Sequence, residues 1–114
     1  KAAFCGADIP HCEITGCYAA ETNFSGAVLD DGILDGSTFK KSTFNNASLF
    51  CIRAKGTDFR ECSMKNVCFV DADLTNADFR GADLTNCDFE GADVTGCKFQ
   101  GAILAGAEHL NGKN

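Results

Sequence analysis

The side chains best suited to chemistry in this sequence are eight cysteines and two histidines. Cys5, Cys12 and Cys17 surround His11 near the start of the chain, and thiolate and imidazole groups are the usual ligands of structural zinc. None of these spacings is the C-x2-C pair that is typical of such a site. We therefore predict no metal site, and the cysteines need another explanation.

Catalysis would require a histidine to lie beside a nucleophile or a carboxylate. His11 and His109 lie near opposite ends of the chain, so no Ser/His/Asp or Cys/His group is predicted to converge. No phosphate-binding loop of the P-loop or dinucleotide type is predicted either, because the glycines follow a repeating pattern. The sequence thus predicts a protein that is not an enzyme and that needs no cofactor.

The charge balance limits the classes of partner. The formal net charge is -6, which argues against direct binding to nucleic acid or to an anionic membrane, because phosphate binding depends on clustered Lys and Arg. No apolar run approaches the roughly 18 residues that would cross a bilayer. The charge is compatible with a cationic protein partner, or with imitation of a polyanion.

A period of five residues organises the whole chain. The segment ADLTNADFRGADLTNCDFEGADVTG (72–96) shows it most clearly, and a bulky residue recurs in the same register from Phe4 to Leu104 without an insertion. We call these bulky residues the centres. The residue two before each centre is almost always small, with Ile52 and Val67 as exceptions. The residue two after it is mostly Gly or Asn, which tolerate the left-handed backbone of tight turns.

This period fits neither a helix nor an ordinary strand. It fits a short bridge followed by a turn, with the centre and its small partner pointing inward. A right-angled coil closes after four such segments, so that layers stack every twenty residues and neighbouring layers lie about 4.8 Å apart. The sequence predicts about five layers around a narrow core.

The repeated segments carry a family resemblance. Ala77-Asp78-Phe79-Arg80-Gly81 and Ala82-Asp83-Leu84-Thr85-Asn86 follow the phrase A-(D/N)-(L/F)-x-x and resemble the pentapeptide-repeat family, and the resemblance extends over residues 2–104. It implies an all-β fold, a right-handed quadrilateral β-helix. The best understood members of the family are topoisomerase-protecting proteins whose acidic rods look like B-DNA. We expect the β-helix to occupy residues 1–104, and residues 105–114 to form a short C-terminal cap, in which Leu110 folds over the last layer as a short helix.

The twenty-residue layer assigns the inward residues. The centres Phe39, Phe59, Phe79 and Phe99 are predicted to stack as one core ladder. Five cysteines occupy the small inward column, where they replace Ala or Ser, and their positions do not place Cys upon Cys. We expect mostly free thiols, which favours the cytoplasm or another reducing compartment.

One group of outward-facing residues is unusually apolar. Val28, Phe50, Cys68 and Val70 are predicted to share one side over three layers, flanked by Asp30, Ser48, Asp88 and Glu90, and Ile33 on the next side extends the group. A contiguous apolar patch with an acidic rim is typical of a protein contact. Two other interpretations stay open: a few tolerable exposed side chains, or a distortion near Ile52 that turns them inward.

The sequence therefore predicts a rigid, non-catalytic scaffold that binds a protein. A first alternative is a DNA mimic that binds a gyrase-like type II topoisomerase; it needs a longer rod and hence a homodimer. The carboxylates from Asp73 to Asp93 would be spread around all four sides of such a rod. A second alternative is a folded fragment of a larger protein.

Overall fold

The computed structural model describes residues 2–110. Within that range the chain forms neither a helix nor an extended strand, and therefore no helix that could cross a membrane. Instead, one residue in every five makes an isolated parallel bridge with the residue twenty positions further on, from Ala3↔Asn23 to Asp88↔Glu108. The register never changes, so the period read from the sequence is the period of a β-solenoid. We call each twenty-residue stretch a coil.

The bridges fall into four ladders, one along each side of the solenoid, and each is named after one member. The Cys68 ladder contains Asp8, Val28, Ser48, Cys68, Asp88 and Glu108, and the Asp73 ladder contains Glu13, Ile33, Arg53, Asp73 and Asp93. The Asp78 ladder contains Tyr18, Thr38, Asp58, Asp78 and Lys98, and the Asp83 ladder contains Ala3, Asn23, Thr43, Ser63, Asp83 and Ile103. A residue's ladder thus decides which side of the molecule it reaches.

Backbone hydrogen bonds join each coil to the next. The Phe59 amide donates to the Asp78 carbonyl at 2.8 Å, and the Asp78 amide donates to the Thr57 carbonyl at 3.0 Å. The corner residue, two positions after each centre, has a positive φ throughout the described range. The angle is 67° at the first corner, Gly6, and 72° at the last, Gly106. The same left-handed backbone occurs at non-glycine corners such as Cys51, with a φ of 57°. The coil geometry therefore imposes the corner conformation even on residues that do not favour it.

Phenylalanine rings fill the core in stacks. The rings of Phe39 and Phe59 are 5.8 Å apart, those of Phe59 and Phe79 are 5.2 Å apart, and those of Phe79 and Phe99 are 5.5 Å apart, all nearly parallel. Phe44 meets Phe59 edge-on at 5.9 Å from the neighbouring stack. These offset and edge-to-face contacts are the favoured arrangements of aromatic pairs.

The inward column of small residues accommodates the large residue Ile52. Ile52 is buried in it, and the residue one coil below is Gly32, where an added Cβ would lie 3.2 Å from Ile52 Cδ1 and 2.9 Å from Cys12 Sγ. The absence of a side chain at Gly32 thus makes room for Ile52. The bridges on either side, Ile33↔Arg53 and Ser48↔Cys68, stay in register. The distortion near Ile52 that the sequence left open is therefore absent from this part of the solenoid.

Polar atoms in this column find backbone partners. The Thr57 hydroxyl donates to the Leu34 carbonyl at 2.8 Å, and the thiols of Cys62 and Cys87 donate to the carbonyls of Phe39 and Met64 at 3.0 and 2.8 Å. Among the described residues, no buried side-chain nitrogen or oxygen lacks a partner. All eight cysteines lie in the described range as free thiols. Thr and Cys are tolerated here because the hydroxyl or thiol of each donates a hydrogen bond to a backbone carbonyl.

The coil continues past Leu104. Glu108 still forms its bridge with Asp88, and Leu110 packs partly buried against the core. Residues 105–110 contain no helical turn, and the remainder of the cap expected at 105–114 lies outside the described residues. The molecule measures 34 × 23 × 22 Å.

Candidate protein-interaction face

The four residues predicted to form an apolar patch lie together on one side. Val28 and Cys68 are members of the Cys68 ladder, and each is bridged to Ser48 between them. The Cys51 amide donates to the Val70 carbonyl at 2.9 Å, which places Phe50 and Val70 in neighbouring coils. We call this side, from the Cys68 ladder to its following corner, the Phe50 face.

Phe50 is the most exposed member of the patch. Its exposed fraction is 38%, whereas Val28, Cys68 and Val70 are half-buried. Ile33, beyond the corner on the Asp73 ladder, is also half-buried. The other exposed large hydrophobic residues in the described range are Phe4, Ile9, Tyr18 and Ile103, and all belong to the first coil (2–21) or the last (91–110). Phe50 is thus exposed in the middle of the solenoid, where neighbouring coils cover the core on both sides.

A carboxylate fixes the backbone beneath Phe50. Asp30 Oδ1 accepts a hydrogen bond from the Ser48 hydroxyl at 2.6 Å and another from the Phe50 amide at 3.1 Å. Asp35 supports Lys55 in the same way on the next side, where its Oδ1 accepts from the Lys55 amide at 2.9 Å. The backbone around Phe50 is therefore held from both directions. The Cys51 amide bonds to the next coil, and the Phe50 amide bonds to the Asp30 side chain of the preceding coil.

Cys51 also belongs to this face, although the sequence analysis did not include it. It occupies the corner after Phe50, half-buried and with a positive φ. Partial burial, and then the carboxylates of Asp31, Asp71 and Asp30, raise the pKa of its thiol. Cys51 thus remains a neutral thiol near neutral pH and adds weakly polar surface to the patch.

A cluster of potential metal ligands lies at the C-terminal end of the same face. His109 Nδ1 lies 2.9 Å from Asp88 Oδ1, and ligand atoms of Asp88, Glu108 and His109 are within 4.8 Å of one another. The hydrogen bond to Asp88, followed by its charge and those of Glu90 and Glu108, raises the pKa of His109. The same hydrogen bond lowers the pKa of Asp88. This group could not be predicted from the five-residue pattern, because the pattern ends at Leu104 and leaves His109 in a tail outside the coil.

Ion pairs run along the Asp78 ladder. Arg60 Nη2 lies 2.8 Å from Asp58 Oδ2, and Arg80 Nη2 lies 2.7 Å from Asp78 Oδ2. The hydrogen bond from Arg80 lowers the pKa of Asp78. Each arginine thus folds back onto the carboxylate two residues before it, and the two charges of each pair offset each other.

The comparisons with known proteins agree with this geometry. A sequence profile described as a pentapeptide repeat region matches residues 31–109, and one for pentapeptide repeats in eight copies matches residues 11–46. No curated protein sequence matches the chain.

Several solved structures resemble the fold. A pentapeptide repeat protein from the cyanobacterium Cyanothece 51142 is 21% identical with a TM-score of 0.59, and the match covers 89% of this chain and 86% of that one. A pentapeptide repeat protein from the thylakoid lumen of Arabidopsis thaliana is 25% identical with a TM-score of 0.51, covering 81% of this chain and 64% of that one. A trypsin-treated form of QnrB1, a plasmid-mediated fluoroquinolone resistance protein, is 21% identical with a TM-score of 0.50, covering 93% and 71%. These likenesses support the β-solenoid.

Proposed function

The chain belongs to the pentapeptide repeat family, and we propose that it is a non-catalytic scaffold that binds another protein through the Phe50 face. The observation that carries this proposal is the exposure of Phe50 in the middle of the solenoid, beside the half-buried Val28, Cys68 and Val70. Apolar groups that cluster on a rigid surface gain free energy when a partner removes them from water. The solenoid supplies the rigidity, because each coil is bonded to its neighbours.

The environment of the thiols supports the absence of catalysis. Burial raises the pKa of Cys62 and that of Cys87 to about 12, so neither thiol ionises near neutral pH. The His109 imidazole is hydrogen-bonded to Asp88 on the open surface rather than beside a nucleophile. A scaffold therefore accounts for the chain better than an enzyme does.

A DNA mimic that binds a topoisomerase as a homodimer is the second candidate. The net charge of -6 favours it, but imitation of DNA requires negative potential around the rod. On the sides away from the Phe50 face many carboxylates lie beside cations, as in the pairs Arg53–Asp35 at 3.0 Å and Lys55–Asp73 at 3.6 Å. We rank this candidate second, and a gyrase supercoiling assay tests it: inhibition or protection by the wild-type chain would reverse the ranking.

Site-specific photo-cross-linking tests the first proposal. A photoreactive amino acid replaces Phe50 in one variant and Ile103 in a control, because Ile103 is also exposed but lies on the Asp83 ladder. A protein that cross-links from position 50 and not from position 103 is identified by mass spectrometry and purified. Its affinity is then measured for the wild type, Phe50→Asp, Phe50→Lys and Ile103→Asp.

The two substitutions of Phe50 separate two causes of weaker binding. An aspartate at this position would add repulsion from Asp30, whereas a lysine would not. If the apolar side chain is what the partner recognises, both variants lose at least about tenfold in affinity, which is the usual cost of removing an aromatic anchor. Ile103→Asp should bind like the wild type. Equal binding by all four proteins would contradict the proposal.

A further inference from the structure

We propose that the partner of the Phe50 face is a protein segment with an apolar centre flanked by Lys and Arg; this inference rests on the proposed function and specifies its partner. Negative charge is concentrated around the patch on this face. Asp30, Asp31, Asp71 and Glu90 surround the patch around Phe50. Asp8, Asp88 and Glu108 continue the same face towards the two ends of the solenoid.

The Phe50 face carries no Lys or Arg between residues 2 and 110. The other three sides hold eight Lys or Arg and nine Asp or Glu in the same range, so they nearly balance, while the Phe50 face holds seven acids. The same face also holds two histidines, His11 and His109, and His109 lies against Asp88. The excess negative charge of the described solenoid is therefore concentrated on one side.

Between residues 2 and 110, no ion pair joins Asp30, Asp31, Asp71 or Glu90 to a cation. Basic side chains on the two adjoining sides have partners of their own: Arg53 contacts Asp35, Lys55 lies 3.6 Å from Asp73, and Lys65 lies 3.8 Å from Asp83. The charges of these four carboxylates are thus not offset by a cation in this range, although Asp30 Oδ1 already accepts hydrogen bonds from the Ser48 hydroxyl and the Phe50 amide. Asp31 and Asp71 occupy exposed corners with positive φ, directly above and below Cys51.

This arrangement selects among possible occupants. In a symmetric dimer formed through the Phe50 face, the seven acids of one copy would lie opposite the same seven of the other, and such like-charge contact opposes association. An anionic lipid or a nucleic acid would be repelled in the same way. A cationic rim on the partner would pair with the acids while its apolar centre covers Phe50, which matches the usual interface of apolar centre and polar rim. The occupant we infer is therefore a different, basic protein segment.

Synthetic peptides test the inference without knowledge of the natural partner. The labelled peptide KKLFLKK has both features, EELFLEE keeps the apolar centre with acidic flanks, and KKSNSKK keeps the basic flanks without an apolar centre. Binding to the whole chain is measured by fluorescence anisotropy at low and at physiological salt. KKLFLKK should bind saturably and more tightly than either of the other two, and its affinity should fall as salt is added.

Charge-neutralised variants then locate the site. Asp31→Asn with Asp71→Asn removes two carboxylates, and asparagine tolerates the positive φ of these corners at least as well as aspartate does. The matched control, Glu13→Gln with Glu61→Gln, changes the net charge equally on the other sides. The first pair should weaken KKLFLKK binding about tenfold, and the control pair less than about twofold.

The outcomes distinguish this inference from the proposed function. Equal effects of the two variant pairs, equal binding of KKLFLKK and EELFLEE, or no binding of KKLFLKK at about 1 mM would overturn the basic-partner inference. The protein-binding proposal would survive those results if Phe50→Lys still abolished binding to the cross-linked partner. If KKSNSKK bound as tightly as KKLFLKK, or if Phe50→Lys left KKLFLKK binding unchanged, the apolar contact itself would be refuted.

Discussion

Replacing Phe59 by leucine should destabilise the solenoid much more than the same replacement at Phe99. Phe59 is fully buried and stacks on Phe39 at 5.8 Å and on Phe79 at 5.2 Å. It also meets Phe44 edge-on at 5.9 Å. Each aromatic pair contributes about 0.5–1.5 kcal/mol beyond the buried area. Phe59→Leu loses both stacked pairs and the edge-on pairs with Phe44 and Phe69, so the expected loss in the free energy of unfolding is about 2–6 kcal/mol.

Phe99 is the matched control because it lies in the same stack at its C-terminal end. It is half-buried and stacks on Phe79 alone among the described rings, at 5.5 Å. Phe99→Leu should therefore cost about 1 kcal/mol. Urea unfolding followed by circular dichroism measures both variants, and thermal melting should show a difference of several degrees. Equal losses at the two positions, or a loss under about 1 kcal/mol at Phe59, would refute the stacked core as the main source of stability.

The contacts at Gly32, at the buried thiols and at His109 can each be tested separately. Gly32→Ala should lower the free energy of unfolding by about 1–3 kcal/mol in urea titrations, because the added methyl group meets the packed inward column. The thiols of Cys62 and Cys87 should resist Ellman's reagent at pH 8 until the chain unfolds, since burial raises the pKa of each to about 12. His109 should titrate above the ordinary histidine pKa in NMR spectra, and Asp88→Asn should lower that pKa. Because the folded-state pKa of His109 is raised, its stabilising contribution is complete below the ordinary value and disappears as the pH rises through the folded value.

A specific result would contradict each of these three predictions. A neutral or stabilising Gly32→Ala would mean that Ile52 does not depend on the space left at Gly32. Rapid reaction of Cys62 in the native protein would mean that its carbonyl contact and burial are wrong. An unchanged His109 pKa in Asp88→Asn would remove Asp88 as the cause of the shift.

The register of the fold could be predicted because every segment repeats the same physical requirement. One bulky and one small inward residue and one corner recur every five positions, and the bridges follow that register from Ala3 to Glu108. The corner conformation at residues such as Cys51 is less visible, because nothing local favours a positive φ there and the closure of the coil imposes it. The fit of Ile52 over Gly32 was also missed, since it depends on pairing residues twenty positions apart.

The composition of the Phe50 face could likewise be read from the register, because the register decides which residues share a side. The exposure of Phe50 could not be predicted in this way, because the exposed fraction of its side chain depends on how its neighbours pack. The cluster around His109 was missed because the sequence pattern ends at Leu104, whereas the coil continues to the bridge at Glu108. Prediction from the sequence thus ended where the repeat weakens, although the backbone hydrogen bonds persist there.

The most direct test of the account is an NMR titration of the isotopically labelled chain with the peptide KKLFLKK at low salt. The largest changes in amide shifts should fall in residues 28–31, 48–51 and 68–71, and Phe50→Lys should remove them. Changes concentrated on the Asp78 ladder or in the first coil, or changes that persist in Phe50→Lys, would contradict a binding face centred on Phe50.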